Sequence, residues 1–68
     1  MPNSYSSRYI IKILKKNKFR LVSRKGSHSK YQKENLVVIV PVEYKDIPIG
    51  TFRSILKQSG LNIKDFSS

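Results

Sequence analysis

The sequence contains no cysteine and a single histidine, His28, among its 68 residues. The lack of cysteine excludes a disulfide framework and thiolate metal ligands. The four acidic residues are scattered along the chain, so we expect no carboxylate cation site, and more generally no metal and no cofactor. Because a chain this short has no room for a deep pocket, any site should be a surface feature.

Long hydrophobic runs are also missing from the sequence. The longest apolar stretch is LVVIVPV, residues 36–42, which is far short of the roughly 20 residues that span a bilayer. The N-terminal residues lack the apolar segment of a signal peptide. We therefore expect one soluble, cytoplasmic domain comprising residues 1–68, with residues 1–6 as a flexible N-terminal tail.

Positive charge is the most prominent feature of the composition. The chain carries 14 Lys and Arg residues against four Asp and Glu residues, a formal net charge of +10. A charge this large on a small domain indicates a polyanionic partner, and nucleic acid is the first candidate. The alternative is a basic surface that contributes to solubility and binds nucleic acid loosely.

Two segments have the apolar spacing of amphipathic helices, SRYIIKILKKN (7–17) and GTFRSILKQSG (50–60). We expect Ser6 or Ser7 to cap the first helix, Thr51 to cap the second, and Gly60 to end it. The following LNIKDF, residues 61–66, should fold back onto the core.

Three segments between these helices favour strands: FRLVSRK (19–25), HSKYQK (28–33) and LVVIVP (36–41). The two-residue loop Gly26-Ser27 predicts a hairpin with a type II′ turn. The order is then α-β-β-β-α, an α+β fold with a three-stranded antiparallel sheet and both helices on one face. Double-stranded-RNA-binding domains have the same order, which is a weak indication of function by itself.

The predicted hairpin places His28 at the turn end of the sheet. A two-residue loop pairs His28 with Lys25 and Tyr31 with Val22, and gives His28, Lys30 and Gln32 a common face. The pattern does not determine which face meets the helices.

His28 has two possible roles. In the first it is a proton-transfer group in RNA cleavage, because RNA carries its own nucleophile, the 2′-hydroxyl, and histidine transfers protons near neutral pH. In the second it is a surface histidine in a basic loop that touches phosphate. Composition and position alone favour the second role.

Other polar and aromatic residues also have two interpretations. The cations around the hairpin bind phosphate or are merely solvated; they are Arg20, Arg24, Lys25, Lys30 and Lys33. Tyr31 stacks on a base or packs beside Val22. For Arg53 and Lys57 on the second helix, solvent exposure is the simpler interpretation. The free edge of the third strand needs cover from a partner or from the loop and tail.

Three stretches together resemble the HicA family, the small mRNA-interferase toxins of HicAB toxin–antitoxin modules. They are RLVSRKGSHSKY with its G-S-H core, VVIVPV, and KDIPIGTFRSILKQSGL, the most specific of the three. The resemblance covers residues 8–66. It implies a double-stranded-RNA-binding-domain-like fold, a metal-free ribonuclease that cleaves mRNA, and a HicB antitoxin that covers His28 and the hairpin.

The resemblance also implies roles for individual residues. His28 matches the family's catalytic histidine, and Gly26 matches the glycine of the turn. We expect the remaining residues around the hairpin to bind RNA: Arg20, Arg24, Lys25, Ser27, Lys30, Tyr31 and Lys33.

The sequence departs from the family at two places. Many relatives have a second histidine where this chain has Ser29, and another in the loop where it has Glu43 and Tyr44. A lysine or Tyr31 would then supply a second proton-transfer group. The competing hypothesis is a non-catalytic RNA-binding module of the same fold.

Overall fold

A computed structural model describes residues 5–67. The elements are α1 (Ser7–Lys16), β1 (Arg20–Lys25), β2 (His28–Lys33), β3 (Leu36–Pro41), α2 (Ile49–Ser59) and α3 (Lys64–Ser67). The predicted α+β class and α-β-β-β-α order are confirmed, and the short helix α3 follows them. No helix within the described residues is long and apolar enough to cross a bilayer.

The three strands form an antiparallel sheet in the order β1-β2-β3. Its buried apolar residues, Tyr31, Val38 and Val40, share one face, because Tyr31 pairs with Val38 and Val40 lies two residues further along β3. They form a single core with residues of α1, α2 and α3. The helices therefore pack on one face of the sheet, and the other face is open.

The helix α1 begins at a capped serine and buries one apolar stripe. The Ser6 side chain accepts a hydrogen bond from the Tyr9 backbone N–H, as predicted for one of the two candidate serines. Ile10, Ile13 and Leu14 are buried at the helical spacing read from the sequence. This stripe anchors α1 against the sheet.

The helix α2 begins earlier than predicted. Its N-cap is Pro48, with no side-chain capping bond, so the expected cap at Thr51 was wrong. Proline has a φ suited to a helix start and needs no N–H partner, and the Phe52 N–H already bonds to the Pro48 carbonyl. The predicted end at Gly60 is confirmed, with a left-handed φ of 72°.

The two ends of the described chain meet in the core. Phe66 is fully buried, with its ring 5.2 Å from that of Phe52, so residues 61–66 fold back as predicted. Residues 1–4 of the predicted tail lie outside the described residues. Tyr5 belongs to the folded domain, because it is buried and its ring stacks 5.2 Å from that of Tyr9.

The pairing of β1 with β2 contains a β-bulge that the sequence did not indicate. Leu21 lies opposite Tyr31 and Ser23 opposite Lys30, so Val22 is the extra residue. The predicted pairing of Val22 with Tyr31 was therefore wrong. One extra residue in β1 moves the side chains before the bulge to the opposite face of the sheet. Arg20 therefore lies opposite Gln32 on the open face, and not on the face that carries Tyr31.

Candidate active site at the basic hairpin

The turn between β1 and β2 has the predicted two residues. Gly26 has a φ of 60°, and Ser27 is not among the residues with positive φ. A positive φ at the first position alone is the pattern of a type II′ turn, which requires glycine there. Lys25 and His28 therefore become direct cross-strand partners that flank the turn.

The tip of the hairpin is also tied to the chain beyond β3. The Val42 N–H donates to the Ser27 carbonyl at 2.8 Å, which continues the ladder that pairs His28 with Pro41. His28 thus has a paired strand on each side although it lies beside a turn. A paired backbone restricts the directions in which the imidazole points.

His28 lies on the open face of the sheet. Along β2, exposed His28 and Lys30 alternate with buried Ser29 and Tyr31, which point toward the helices. Cross-strand pairing adds Lys25 and Ile39 to the open face. The structure therefore places His28 on the face of the sheet that does not meet the helices, which the sequence pattern had not determined.

A surface cavity of about 480 Å³ surrounds His28. It brings His28 together with Lys25 and Lys30, two of the cations expected to bind RNA. Arg24 also lines it, although its cross-strand partner Ser29 faces the helices. Ser23, Ser29 and Ile39 complete its lining. The arrangement places one imidazole in an open, positively charged recess, which suits a polyanion and a proton transfer.

Four residues predicted to bind RNA do not line the cavity. Ser27 lies in the turn beside it, and the other three lie further away. Tyr31 is 4% exposed and belongs to the core, so it packs in the interior and is not available to stack on a base. Its cross-strand partner is Leu21, and not Val22 as predicted. Lys33 lies at the far end of β2, with its Nζ 5.8 Å from the centre of the Phe19 ring. Arg20 is also at that far end. The predicted site is therefore concentrated near the turn.

Ser29, where the sequence departs from the resemblance, has a structural role. Its hydroxyl is buried and donates to the Val40 carbonyl at 3.1 Å. Because neighbouring residues on a strand face opposite ways, this side chain points away from the face that carries His28. Tyr31, an expected source of a second proton-transfer group, is buried on that same helix-covered side.

Two cavity residues were missed by sequence reasoning. Ser23 reaches the cavity because the bulge aligns it with Lys30, and Ile39 reaches it from β3 as the partner of Lys30. The alternation of β3 could have indicated Ile39, whereas nothing local marked the bulge.

In a comparison with protein families, residues 7–61 match the family described as the HicA toxin of bacterial toxin–antitoxin systems. The chain belongs to the HicA toxin family. The matched range begins with α1 and extends just past α2, so it contains the whole hairpin and sheet. Among curated proteins, no sequence matches the chain significantly.

Membership of the HicA family makes this chain the toxin of a toxin–antitoxin module, with an antitoxin as its general partner. Toxins of the family are generally of the ribonuclease type. Within residues 5–67 there is no group of three or more His, Cys, Asp or Glu side chains arranged to hold a metal ion.

Proposed function

We propose that this HicA-family chain is an endoribonuclease that cleaves mRNA without a metal and uses His28 as its general acid/base. The supporting observation is the placement of His28 on the open face, in a recess with Lys25 and Lys30 on the same face. The substrate supplies the nucleophile, so the protein needs to provide a proton acceptor and cations at the phosphate.

The reaction begins when the imidazole of His28 removes the proton of a ribose 2′-hydroxyl. The 2′-oxygen attacks the adjacent phosphorus, and the bond from phosphorus to the 5′-oxygen breaks. The leaving 5′-oxygen takes up a proton, which gives a 2′,3′-cyclic phosphate and a 5′-hydroxyl. Lys25 and Lys30, on the same face as His28, stabilise the negative charge on the non-bridging oxygens.

The proton for the leaving oxygen comes from a lysine of the recess or from water. Of the lysines in the recess, Lys25 is the first candidate, because it is the direct cross-strand partner of His28. Tyr31 is not part of this step, since it is buried on the other side of the sheet. One histidine is then sufficient for the chemistry, at a slower rate than with a pair of histidines.

The antitoxin partner in this proposal is a HicB-type protein that covers His28 and the hairpin. The open face is basic around His28 and carries half-exposed Val37 and Ile39 on β3. A partner with acidic groups around an apolar centre complements this surface. Its binding blocks access of RNA to the recess.

The proposal is tested by induced expression in bacteria. Wild type and the control Lys57→Ala, which alters an exposed residue of α2, should arrest growth and degrade mRNA. His28→Ala should do neither, and co-expression of the antitoxin should relieve the arrest by wild type. Growth arrest and mRNA loss with soluble, folded His28→Ala would contradict the assignment, and mRNA binding without degradation by wild type would indicate the non-catalytic alternative.

A further inference from the structure

The open face of the sheet consists of three rows of cross-strand partners, each with one residue from every strand. We call these rows rungs and count them from the turn between β1 and β2. The His28 cavity is lined by residues of the first two rungs, and the third rung lies outside it. By register the three rungs are Lys25–His28–Pro41, Ser23–Lys30–Ile39 and Arg20–Gln32–Val37.

The third rung follows the cavity directly on the same face. Lys30 and Gln32 are two residues apart on β2, so their side chains point the same way and lie roughly 7 Å apart along the strand. Arg20 is exposed, Val37 is 38% exposed and Gln32 is half-buried. An RNA strand bound at His28 can therefore continue across the third rung without leaving the open face.

The charge and polarity of the rungs suit a nucleic-acid strand. None of their nine residues is acidic, and β1 and β2 supply three cations, Arg20, Lys25 and Lys30. The strand β3 supplies half-exposed Ile39 and Val37. Cations bind the phosphates of RNA, and an apolar surface suits the faces of unstacked bases.

Gln32 presents its amide in a fixed direction. Its Nε2 donates to the Glu34 carbonyl at 2.9 Å, and Glu34 lies in the tight turn between β2 and β3. An amide with one N–H engaged keeps a second N–H and an acceptor oxygen. A donor beside an acceptor can pair with the edge of a base through two hydrogen bonds, and a side chain already held in place loses less entropy on binding.

We propose that the third rung recognises one base of the RNA that continues from the phosphate at His28. Gln32 pairs with the edge of this base, Val37 contacts its face, and Arg20 contacts a neighbouring phosphate. The inference rests on the proposed function for the location of the cleaved phosphate. It adds Gln32 as a specificity-determining residue and gives Arg20 a contact outside the His28 cavity.

The test of Gln32 measures binding of 2′-O-methylated oligonucleotides, which lack the nucleophile and stay intact. Each position in turn carries each of the RNA bases. Wild type should prefer one base by about tenfold at a single position, as expected for a pair of hydrogen bonds to a base edge. Gln32→Met keeps the length of the side chain and removes the amide, so it should bind all bases equally there. Oligonucleotides too short to extend beyond the His28 cavity should show no preference.

The test of Arg20 uses the salt dependence of the same binding. Arg20→Ala should weaken binding of the longer oligonucleotides and reduce the slope of log K against log salt by about 0.7, because one phosphate contact is lost. Arg53→Ala is the matched control, since it removes the same charge from an exposed position on α2, and its slope should equal that of wild type. Equal reductions in the two variants would overturn the contact of Arg20.

The inference and the proposed function fail in different ways. Equal affinity of wild type for every base, or a preference that Gln32→Met keeps, overturns the inference even if His28→Ala abolishes cleavage. Variants of Gln32 and Arg20 that bind RNA like wild type but escape the antitoxin also overturn it, since the third rung would then belong to the antitoxin interface. If His28→Ala cleaves at the wild-type rate, the proposed function is overturned, and the third rung loses its assignment beside the cleaved phosphate.

Discussion

At the level of single residues, the geometry of the site depends on Gly26 more than on its neighbours. Its φ of 60° is one that residues with a Cβ seldom adopt, whereas an added Cβ would meet no atom within 4 Å. The requirement for glycine is therefore conformational and not steric. Gly50, in the first turn of α2, offers a matched comparison, because it has the same open surroundings without a positive φ.

We predict opposite effects for alanine at these two glycines. Gly26→Ala should lower the free energy of unfolding by about 1 kcal/mol or more and slow RNA cleavage, because it strains the turn that places His28. Gly50→Ala should raise the free energy of unfolding by up to about 1 kcal/mol, because alanine is the better helix former. Urea denaturation measures both. A Gly26→Ala protein as stable and as active as wild type would contradict the role of the turn.

The sequence predicted the two-residue turn correctly, because Gly26-Ser27 acts through local backbone geometry, whereas the role of His28 stays a prediction. It did not predict the bulge at Val22, since valine is an ordinary strand residue and nothing local distinguishes an extra residue from a paired one. At α2 the expected cap Thr51 was wrong, because the helix begins after Pro48.

At the level of elements, β3 is an edge strand with half-exposed Leu36, Val37 and Ile39. The sequence predicted cover by a partner or by the loop and tail. Within the chain, α2 covers part of this edge, because the Ile39 N–H donates to the Gln58 side-chain oxygen at 3.0 Å; cover by a partner stays a prediction. A side chain that occupies an edge N–H hinders pairing with another strand.

Removal of this side chain should expose the edge. We predict that Gln58→Ala lowers the free energy of unfolding by about 0.5–1 kcal/mol, the usual net contribution of one hydrogen bond. It should also increase self-association, since the Ile39 N–H becomes available to a second strand. Analytical ultracentrifugation over a range of concentrations measures the association. The neighbouring Lys57→Ala is the control, and equal sedimentation of Gln58→Ala and wild type would show that Gln58 does not protect the edge.

At the level of the whole molecule, the net charge of +10 should govern how the RNA of the proposed function approaches and binds. The structure concentrates part of this charge around the open recess, while Lys57 and Arg53 lie exposed on α2. Phosphate contacts release counterions, so each one adds to the salt dependence of binding. Removal of a cation that contacts phosphate should therefore reduce the salt dependence of binding, whereas removal of a solvated cation should not.

We predict that the RNA affinity falls steeply with salt and that Lys25→Ala and Lys30→Ala each reduce the slope of log K against log salt by about 0.7. Lys57→Ala should leave the slope as in wild type, because its charge lies outside the recess. Fluorescence anisotropy with 2′-O-methylated RNA provides the slopes. Equal reductions for Lys57→Ala and Lys30→Ala would show that the charge acts diffusely and not through the recess.

The most direct test of the central claim is the cleavage rate of purified protein on single-stranded RNA, compared between wild type, His28→Ala and Lys57→Ala. Loss of a general acid/base lowers a rate by roughly 10²–10⁴-fold. We predict a loss of that size for His28→Ala with an unchanged unfolding midpoint, and a wild-type rate for Lys57→Ala. A folded His28→Ala protein that cleaves RNA at the wild-type rate would contradict the claim that His28 is the catalytic residue.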